Sequence, residues 1–422
     1  MAIINWLKGV FEGKKKAADE RRQIKEIDDQ LVFVKSDPLT LGVEFELALL
    51  DAQTFKPAHD GPALIQEANV PEIKKELFEH MIEVTTTVCR DVHQAKGQFE
   101  GNLRKLMGMT EKRGLLLCGS GRPPTLMLGD CRRVPDKRYD FLQESRKIFN
   151  ERFGTLGMHI HIGMESPEKC VRFHNFYMHF LPHLVALSGS SPFEEGHETG
   201  MASMRPTIAE SMPISGMPYY YRTWQEYISL CHAIFRAGSI RNLKDLWWDI
   251  RPCPRYGTLE IRICDQPSTL SEAMAIVAFV HLLGKWFEEH QSWLDEMPRP
   301  NSWRSRENKW RAMRYGLDAE LVTNNQGDTR PVIEDIAQWL VRLQPYIEEL
   351  NYETYIEDLK TLMVRGNGAR RQQRLYAIRS SVEEVSQFIG EEMKAMAPLW
   401  DTLDMEEAKN AAPNVSSIRQ VV

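Results

Sequence analysis

What this 422-residue chain lacks narrows its chemistry before any motif is considered. No uninterrupted apolar run approaches the roughly 20 residues needed to cross a bilayer, so no spanning segment is expected. The seven cysteines, Cys89, Cys118, Cys131, Cys170, Cys231, Cys253 and Cys264, include no C-x-x-C pair. An odd, scattered set argues against a disulfide framework or a thiolate zinc site and points to reduced thiols and a cytoplasmic setting. There is no surplus of positive charge either: at a net charge of −6, nucleic acid is not an expected partner. The phosphate-loop pattern G-x-x-x-x-G-K-S/T is absent. Gly119-Ser-Gly121 invites a dinucleotide reading, but Arg122-Pro-Pro124 follows, and paired prolines are a poor opening for the helix such a turn requires. No internal repeat or low-complexity tract is visible.

What remains is the composition of a globular protein, 42% hydrophobic and 9% aromatic, long enough for one large domain or two. Residues 1–36 stand apart. Ile3, Ile4, Trp6, Leu7, Val10 and Phe11 form a short apolar stripe, followed by Lys14-Lys15-Lys16 and a mixed-charge run. A frayed or partner-contacting extension is the expectation, with membrane-surface contact by residues 1–16 as the lesser alternative. The main domain is expected from Asp37-Pro38 to about residue 400, helical from about residue 300, with 401–422 as a tail.

Four segments alternate with period two, an apolar face against a polar one. Leu259 to Cys264 sets Leu259, Ile261 and Ile263 against Glu260, Arg262 and Cys264. Gly42 to Leu47 puts Glu44 and Glu46 opposite Val43, Phe45 and Leu47. Met81 to Thr86 puts Glu83 and Thr85 opposite Ile82 and Val84, and Gly157 to Gly163 puts His159 and His161 opposite Met158, Ile160 and Ile162. In one strand, an acid and a base two residues apart is an ion pair on a wet face. Four such strands sharing a sheet would bring several carboxylates and two imidazoles to one surface. That crowding is tolerable only with a cation or with protonation.

Helices are expected at Asp91–Arg113, Tyr139–Phe149, from a cap at Ser166-Pro167, and at Ser271–Leu294, Trp303–Tyr315, Pro331–Glu349, Glu353–Val364 and Arg374–Met396. His174, His179 and His183 lack acidic neighbours in sequence and read as core or surface histidines. Ser188–Tyr221, rich in Gly, Ser, Pro and Met, reads as a long functional loop carrying Arg205 and Tyr219-Tyr-Tyr221. Gly366 to Arg374 is a glycine turn loaded with arginine, either a solvated helix end or a phosphate clamp.

Several of these stretches together resemble one family. They are Gly42-Val-Glu-x-Glu, Gly157-Met-His-Ile-His-Ile-Gly163, Trp248-Asp-Ile-Arg-Pro252, Arg255-Tyr-Gly-Thr-Leu-Glu-Ile-Arg-Ile-Cys-Asp265 and Gly366-Asn-Gly-Ala. Ser191-Pro-Phe, Thr199-Gly, Ala202-Ser, Glu307-Asn-Lys-Trp-Arg and Arg314-Tyr-Gly-Leu-Asp318 add to them. In order, from about residue 40 to 375, they look like the carboxylate–amine ligases of the second glutamate–cysteine ligase family. That resemblance implies an α+β fold similar to glutamine synthetase, a curved antiparallel sheet with helices packed on one face. It also implies ATP and Mg²⁺ or Mn²⁺ as cofactors, and amide formation from a small carboxylate and an amine through an acyl phosphate. The namesake pair, glutamate and cysteine, would connect it to glutathione biosynthesis. On this reading Glu44, Glu46, Glu83, Glu260 and His159 are the metal ligands, and His161 is a weaker contact to metal or phosphate. Arg262 meets the transferring phosphate, Arg205 takes the substrate's α-carboxylate, and Arg370, Arg371 or Arg374 hold nucleotide phosphates. A homo-oligomer is left open, and a metal-dependent hydrolase or phosphotransferase is the alternative. One departure is visible: the family's three acids in a row are interrupted here by Phe45, which alternation turns towards the apolar side.

Overall fold

The computed structural model describes residues 25–411, except 137–139, 141–143, 145, 146, 148–151, 213, 298 and 300–302. Its centre is a seven-stranded sheet in which every pairing is antiparallel. The strands are β1 (Leu41–Asp51), β2 (Ile73–Lys75), β3 (Met81–Thr85), β4 (Leu115–Cys118), β5 (Met158–Gly163), β6 (Ile250–Cys253) and β7 (Thr258–Ile261). They run in the order β6-β7-β5-β1-β3-β2, with β4 beside the second half of β1. The four alternating segments are thus β7, β5, β1 and β3, adjacent in that order.

The apolar face of the sheet is covered by α1 (Val92–Lys112) and α3 (Leu270–Glu289), with α2 (Pro167–Tyr177) packed alongside them. Asp91 caps α1 by accepting from the Gln94 amide, and Val92, Ala95, Phe99, Leu103 and Leu106 face the sheet at helical spacing. Phe45 is fully buried there, its ring stacked on Phe99 with centroids 3.8 Å apart. The departure at this position is therefore a packing residue. Although α3 is long and apolar enough to cross a membrane, 89% of its apolar window is buried inside the fold. It is apolar all round because both sheet and C-terminal helices enclose it.

The opposite face is covered over only half its length. From Ala48 and Leu50 onwards, with Cys118 of β4, it packs against Val385, Phe388 and Ile389 in a second hydrophobic cluster. These belong to α6 (Val382–Ala395), where Gly390 lets the backbone approach Leu116 closely. Nearer the start of β1 that face carries Glu44 and Glu46 and borders a cavity.

Several boundaries differ from the sequence expectation. Arg374–Met396 is two helices, α5 (Gly368–Arg379) and α6, broken at Ser380, whose φ of 52° ends the first. The arginine-rich turn is itself helical from Gly368 on, capped by Asn367. Ser271–Leu294 stops at Glu289 and restarts as a short helix, Trp293–Glu296. Ser188–Tyr221 is a chain of short elements, including helix Arg205–Glu210. His183 does have an acidic partner, Asp335 Oδ2 at 2.8 Å, supplied from a distant helix. Most of Tyr139–Phe149 and residues 1–24, including the apolar stripe and Lys14-Lys15-Lys16, lie outside the described residues. Residues 25–36 pack on the body: Ile27 and Leu31 are buried with Tyr227 and Trp248, and Gln30 accepts from the Leu243 amide. Of the expected tail, residues up to 411 belong to helix α7 (Trp400–Ala411), tied to α5 by Arg374–Glu407 and Arg379–Glu406 ion pairs, and 412–422 lie outside the described residues.

If Phe45 holds α1 against β1, Phe45→Ala should lower unfolding free energy by about 3–5 kcal/mol, as for other buried aromatics. Phe45→Glu should be worse, since it buries a charge with no partner. Denaturant unfolding of both variants checks this. A Phe45→Glu protein with unchanged stability would place this side chain on the cavity side.

Candidate active site

Strand register brings the polar side chains together. Glu44 pairs across the strands with His159, Glu46 with Glu83, and His161 with Glu260. All six line one cavity of about 800 Å³, with Arg205, Arg251, Arg262, Asp249 and Cys253 also on its walls. His159 Nδ1 is 3.2 Å from Glu44 Oε2, and His161 Nε2 is 3.5 Å from Glu44 Oε1 and 3.9 Å from Glu260 Oε1. The other His161 nitrogen, Nδ1, sits 2.9 Å from Thr258 Oγ1, which fixes the ring.

Glu260 is nearly inaccessible and is held by two guanidinium groups. Arg251 Nε donates to Oε2 at 2.6 Å, and Arg262 donates to Oε1. Arg251 is itself anchored, its Nη1 donating to the carbonyls of Leu243, Lys244 and Leu246. Arg205 reaches in from the start of its short helix, with Nη1 donating to the carbonyls of Arg262 and Ile263. A side chain at Gly157 would collide with the Arg205 guanidinium and come within 3.0 Å of His159 Nε2, so the missing Cβ there makes room for Arg205. The Gly157 amide also donates to Glu46 Oε2.

The electrostatics sort the acids into two kinds. Burial opposes charge on Glu260, but Arg251 and Arg262 outweigh it and hold the carboxyl well below the usual range. Burial likewise opposes charge on Glu44, and the hydrogen-bonded His159 and His161 rings overcome it. Glu83 goes the other way: burial, then the nearby Glu44 and Glu76 carboxylates, push it well up. Glu46 is raised by burial, with Arg205 and the Gly157 amide offsetting part of that. Burial and Arg262 lower His159 to about 4, so its ring is neutral near pH 7.

One donor from each of Glu44, His161 and Glu260 lies within 4.8 Å of the other two. His159 Nε2 is buried with no hydrogen-bond partner. Two carboxylates, an imidazole and an orphaned ring nitrogen are a donor set suited to a divalent cation.

Of the residues picked from sequence, Glu44, Glu46, Glu83, His159, His161, Arg205, Glu260 and Arg262 all line this cavity. Arg370, Arg371 and Arg374 do not. Arg370 pairs with Asp318 at 2.5 Å, and Arg374 with Glu407 at 2.7 Å and Asp404 at 3.0 Å. Arg371 is fully buried between Glu272 and Glu392 and stacks over Trp400. The alternation read from Leu259 also ends early. Strand β7 stops at Ile261; Ile263 still packs in the core as alternation requires, while also touching the cavity wall, but Cys264 enters the core as well. Buried Asp265 accounts for this turn, because Ser191, Ser203 and the Ser190 amide all donate to its carboxylate. Arg251, Asp249 and Cys253 carried no assigned role in the sequence reading. For Arg251 and Cys253 the signal was the hairpin Pro254–Gly257, which sets Arg251 directly across from Glu260.

The structure superposes on a glutamate–cysteine ligase from Francisella tularensis, solved in complex with AMP, with a TM-score of 0.58. The match covers 92% of this chain and 96% of that one, at 13% identity. A bifunctional glutathione synthetase from Pasteurella multocida also matches with a TM-score of 0.58 and 13% identity, over 85% of this chain and 52% of that one. The fold is therefore one used by carboxylate–amine ligases. By sequence, the model of glutamate–cysteine ligase family 2 matches residues 40–393. A provisionally named glutamate–cysteine ligase 2 of Bdellovibrio bacteriovorus is 36% identical over 329 residues, 78% of this chain and 87% of that one. One of Frankia alni, provisionally named ligase 2-1, is 35% identical over 350 residues, covering 81% and 92%. The chain belongs to glutamate–cysteine ligase family 2, and its class is that of carbon–nitrogen ligases.

Two of the arginines outside the cavity separate by stability. Arg371→Ala leaves Glu272 and Glu392 buried without a counter-charge and should cost about 3–5 kcal/mol. Arg370→Ala breaks only a half-exposed pair and should cost under about 1 kcal/mol. Thermal and denaturant melts measure both; equal small losses would mean that Arg371 is free for another task.

Proposed function

We propose that this chain is an ATP-dependent carboxylate–amine ligase in which the sheet-face cavity holds a divalent cation and the reacting groups. The observation that carries this reading is the convergence of Glu44, His161 and Glu260 donors beside the Arg205 and Arg262 guanidinium groups. Joining a carboxylate to an amine at the expense of ATP brings a carboxylate and phosphate oxygens together, and their repulsion must be offset. The AMP complex of the Francisella tularensis ligase of the same fold supports the nucleotide part of the reading.

Glu44, Glu260 and His161 would hold Mg²⁺ or Mn²⁺, with His159 beside them through its orphaned Nε2. Bound there, the cation supplies positive charge to phosphoryl oxygens. Arg262, between Glu260 and the cavity, adds a guanidinium fork suited to the same oxygens. Glu260, which accepts from Arg262, keeps that fork oriented, while Arg251 keeps Glu260 in place. Arg205 is fixed by two backbone carbonyls and is suited to a substrate carboxylate. Raised Glu83 is the acid in the cavity best suited to carry or accept a proton, for example from an attacking amine.

The reading predicts ADP and phosphate release from ATP only when a carboxylate and an amine are both present, with an amide product seen by mass spectrometry. Arg262→Ala should lower turnover on the order of a hundredfold with the fold largely spared, because the loss falls on the transition state. Glu44→Gln should weaken Mn²⁺ binding, read by calorimetry on the nucleotide-free protein, while Arg262→Ala should not. Phosphate release without any amine would instead indicate a hydrolase, and a stable phosphorylated product a phosphotransferase.

A further inference from the structure

The sequence motif around Lys309 is not explained by the cavity chemistry above. Lys309 lies on helix α4 (Trp303–Tyr315), its side chain 3% exposed, and its Nζ donates to Asp249 Oδ2 and Glu210 Oε1, both at 2.5 Å. Lys309 itself does not line the cavity, but Asp249 does, next to Trp247 and Trp248. Glu210 closes the short helix that opens with Arg205, so one ammonium ties both ends of this wall. Asp249 is held by its backbone too: its amide donates to the Gly216 carbonyl, and its carbonyl accepts from the Arg262 amide, each at 2.8 Å. The result is a carboxylate that cannot swing, presented to the cavity beside a guanidinium that cannot swing.

Asp249 and Arg205 feel each other's charge, but no ion pair of 4.0 Å or less joins them among the described residues. Opposite charges that line one cavity, each held by other protein groups and not paired with each other, suit a zwitterion. Lys309, Arg205, Asp249 and Glu210 sum to zero charge, so a ligand with one charge of each sign leaves that balance intact. A ligand with only a carboxylate would leave buried Asp249 with Lys309 as its sole close cation and no gain from the ligand.

We propose that Asp249, positioned by Lys309, binds the α-ammonium of a free amino-acid substrate whose α-carboxylate lies on Arg205. The inference rests on the ligase reading for its substrate but assigns a group that reading does not use. It makes Asp249 the residue that distinguishes an amino acid from the corresponding des-amino acid. The rings of Phe153 and Trp247, 4.6 Å apart on the same wall, give such a substrate an apolar surface for its side chain.

The test is calorimetric titration of the nucleotide-free protein with L-glutamate, L-cysteine and L-phenylalanine, and with glutarate, 3-mercaptopropionate and 3-phenylpropionate. At least one amino acid should bind more tightly than its des-amino partner. Asp249→Asn should weaken that amino acid by about tenfold to a hundredfold and leave the des-amino acid within about twofold, since only one of them has an ammonium to lose. Arg370→Ala, which breaks an ion pair with Asp318 away from the cavity, should leave both within about twofold. Parallel losses for both ligand types in Asp249→Asn, or no preference for any amino acid in the unaltered protein, would overturn the proposal. The same proteins assayed for amide formation separate the two readings. Selective binding without ATP-dependent ligation sinks the ligase reading alone, whereas ligation with parallel losses sinks this inference alone.

Discussion

Four glutamates on neighbouring strands cannot all stay charged in a shared cavity unless opposite charge is fixed beside them. The Arg251–Glu260 pair is where this structure meets that constraint. Arg251 spends one nitrogen on three backbone carbonyls and presents another to Glu260 at 2.6 Å, so the counter-charge belongs to the backbone framework and not to a mobile side chain. With Glu260 satisfied in this way, Arg262 is oriented, His161 can lie against Glu44, and the remaining acids divide into charged and protonatable members. Burial strengthens each of these interactions and penalises each missing one.

The sheet has two tasks and separates them along its strands. On one face it is entirely core, which is why β1 can carry an aromatic between two glutamates without loss. On the other it is core only where α6 covers it, and the boundary falls between Glu46 and Ala48. The C-terminal helices thus define the cavity by where they stop. Arg371 belongs to that covering layer, joining α5 to α3 and α6 through Glu272 and Glu392.

Much of this was legible in the amino-acid order because strands advertise their faces. The alternation of Glu44, Glu46, Glu83, His159, His161 and Glu260 against Val, Ile and Leu identified which side chains would meet before any pairing was known. Two kinds of residue escaped. Arg370, Arg371 and Arg374 look like an anion site in sequence, but their partners Asp318, Glu272, Glu392, Asp404 and Glu407 are remote or appear only when helices pack. Guanidinium density does not say whether the oxygens it meets belong to a ligand or to the protein. Asp249 and Lys309 stood inside quoted motifs without a role for the mirror reason, because 60 residues separate them and only the fold pairs them. Cys264 was misassigned because alternation carries no warning of where a strand ends, and Asp265 ends it through serines more than 60 residues away.

Gln30 lines the cavity, and the helical turn that carries it is pinned through Ile27 and Leu31 under Trp248. Yet family likeness begins only at residue 40. The boundary drawn by resemblance and the boundary drawn by packing therefore do not coincide, and a chain trimmed to the former would lose part of its own container wall. Trp248, next to Asp249 and also on the cavity lining, would lose its cover from this segment. Ancestry marks which residues are shared; van der Waals contact marks which residues are needed to close the vessel, and here the second set reaches outside the first.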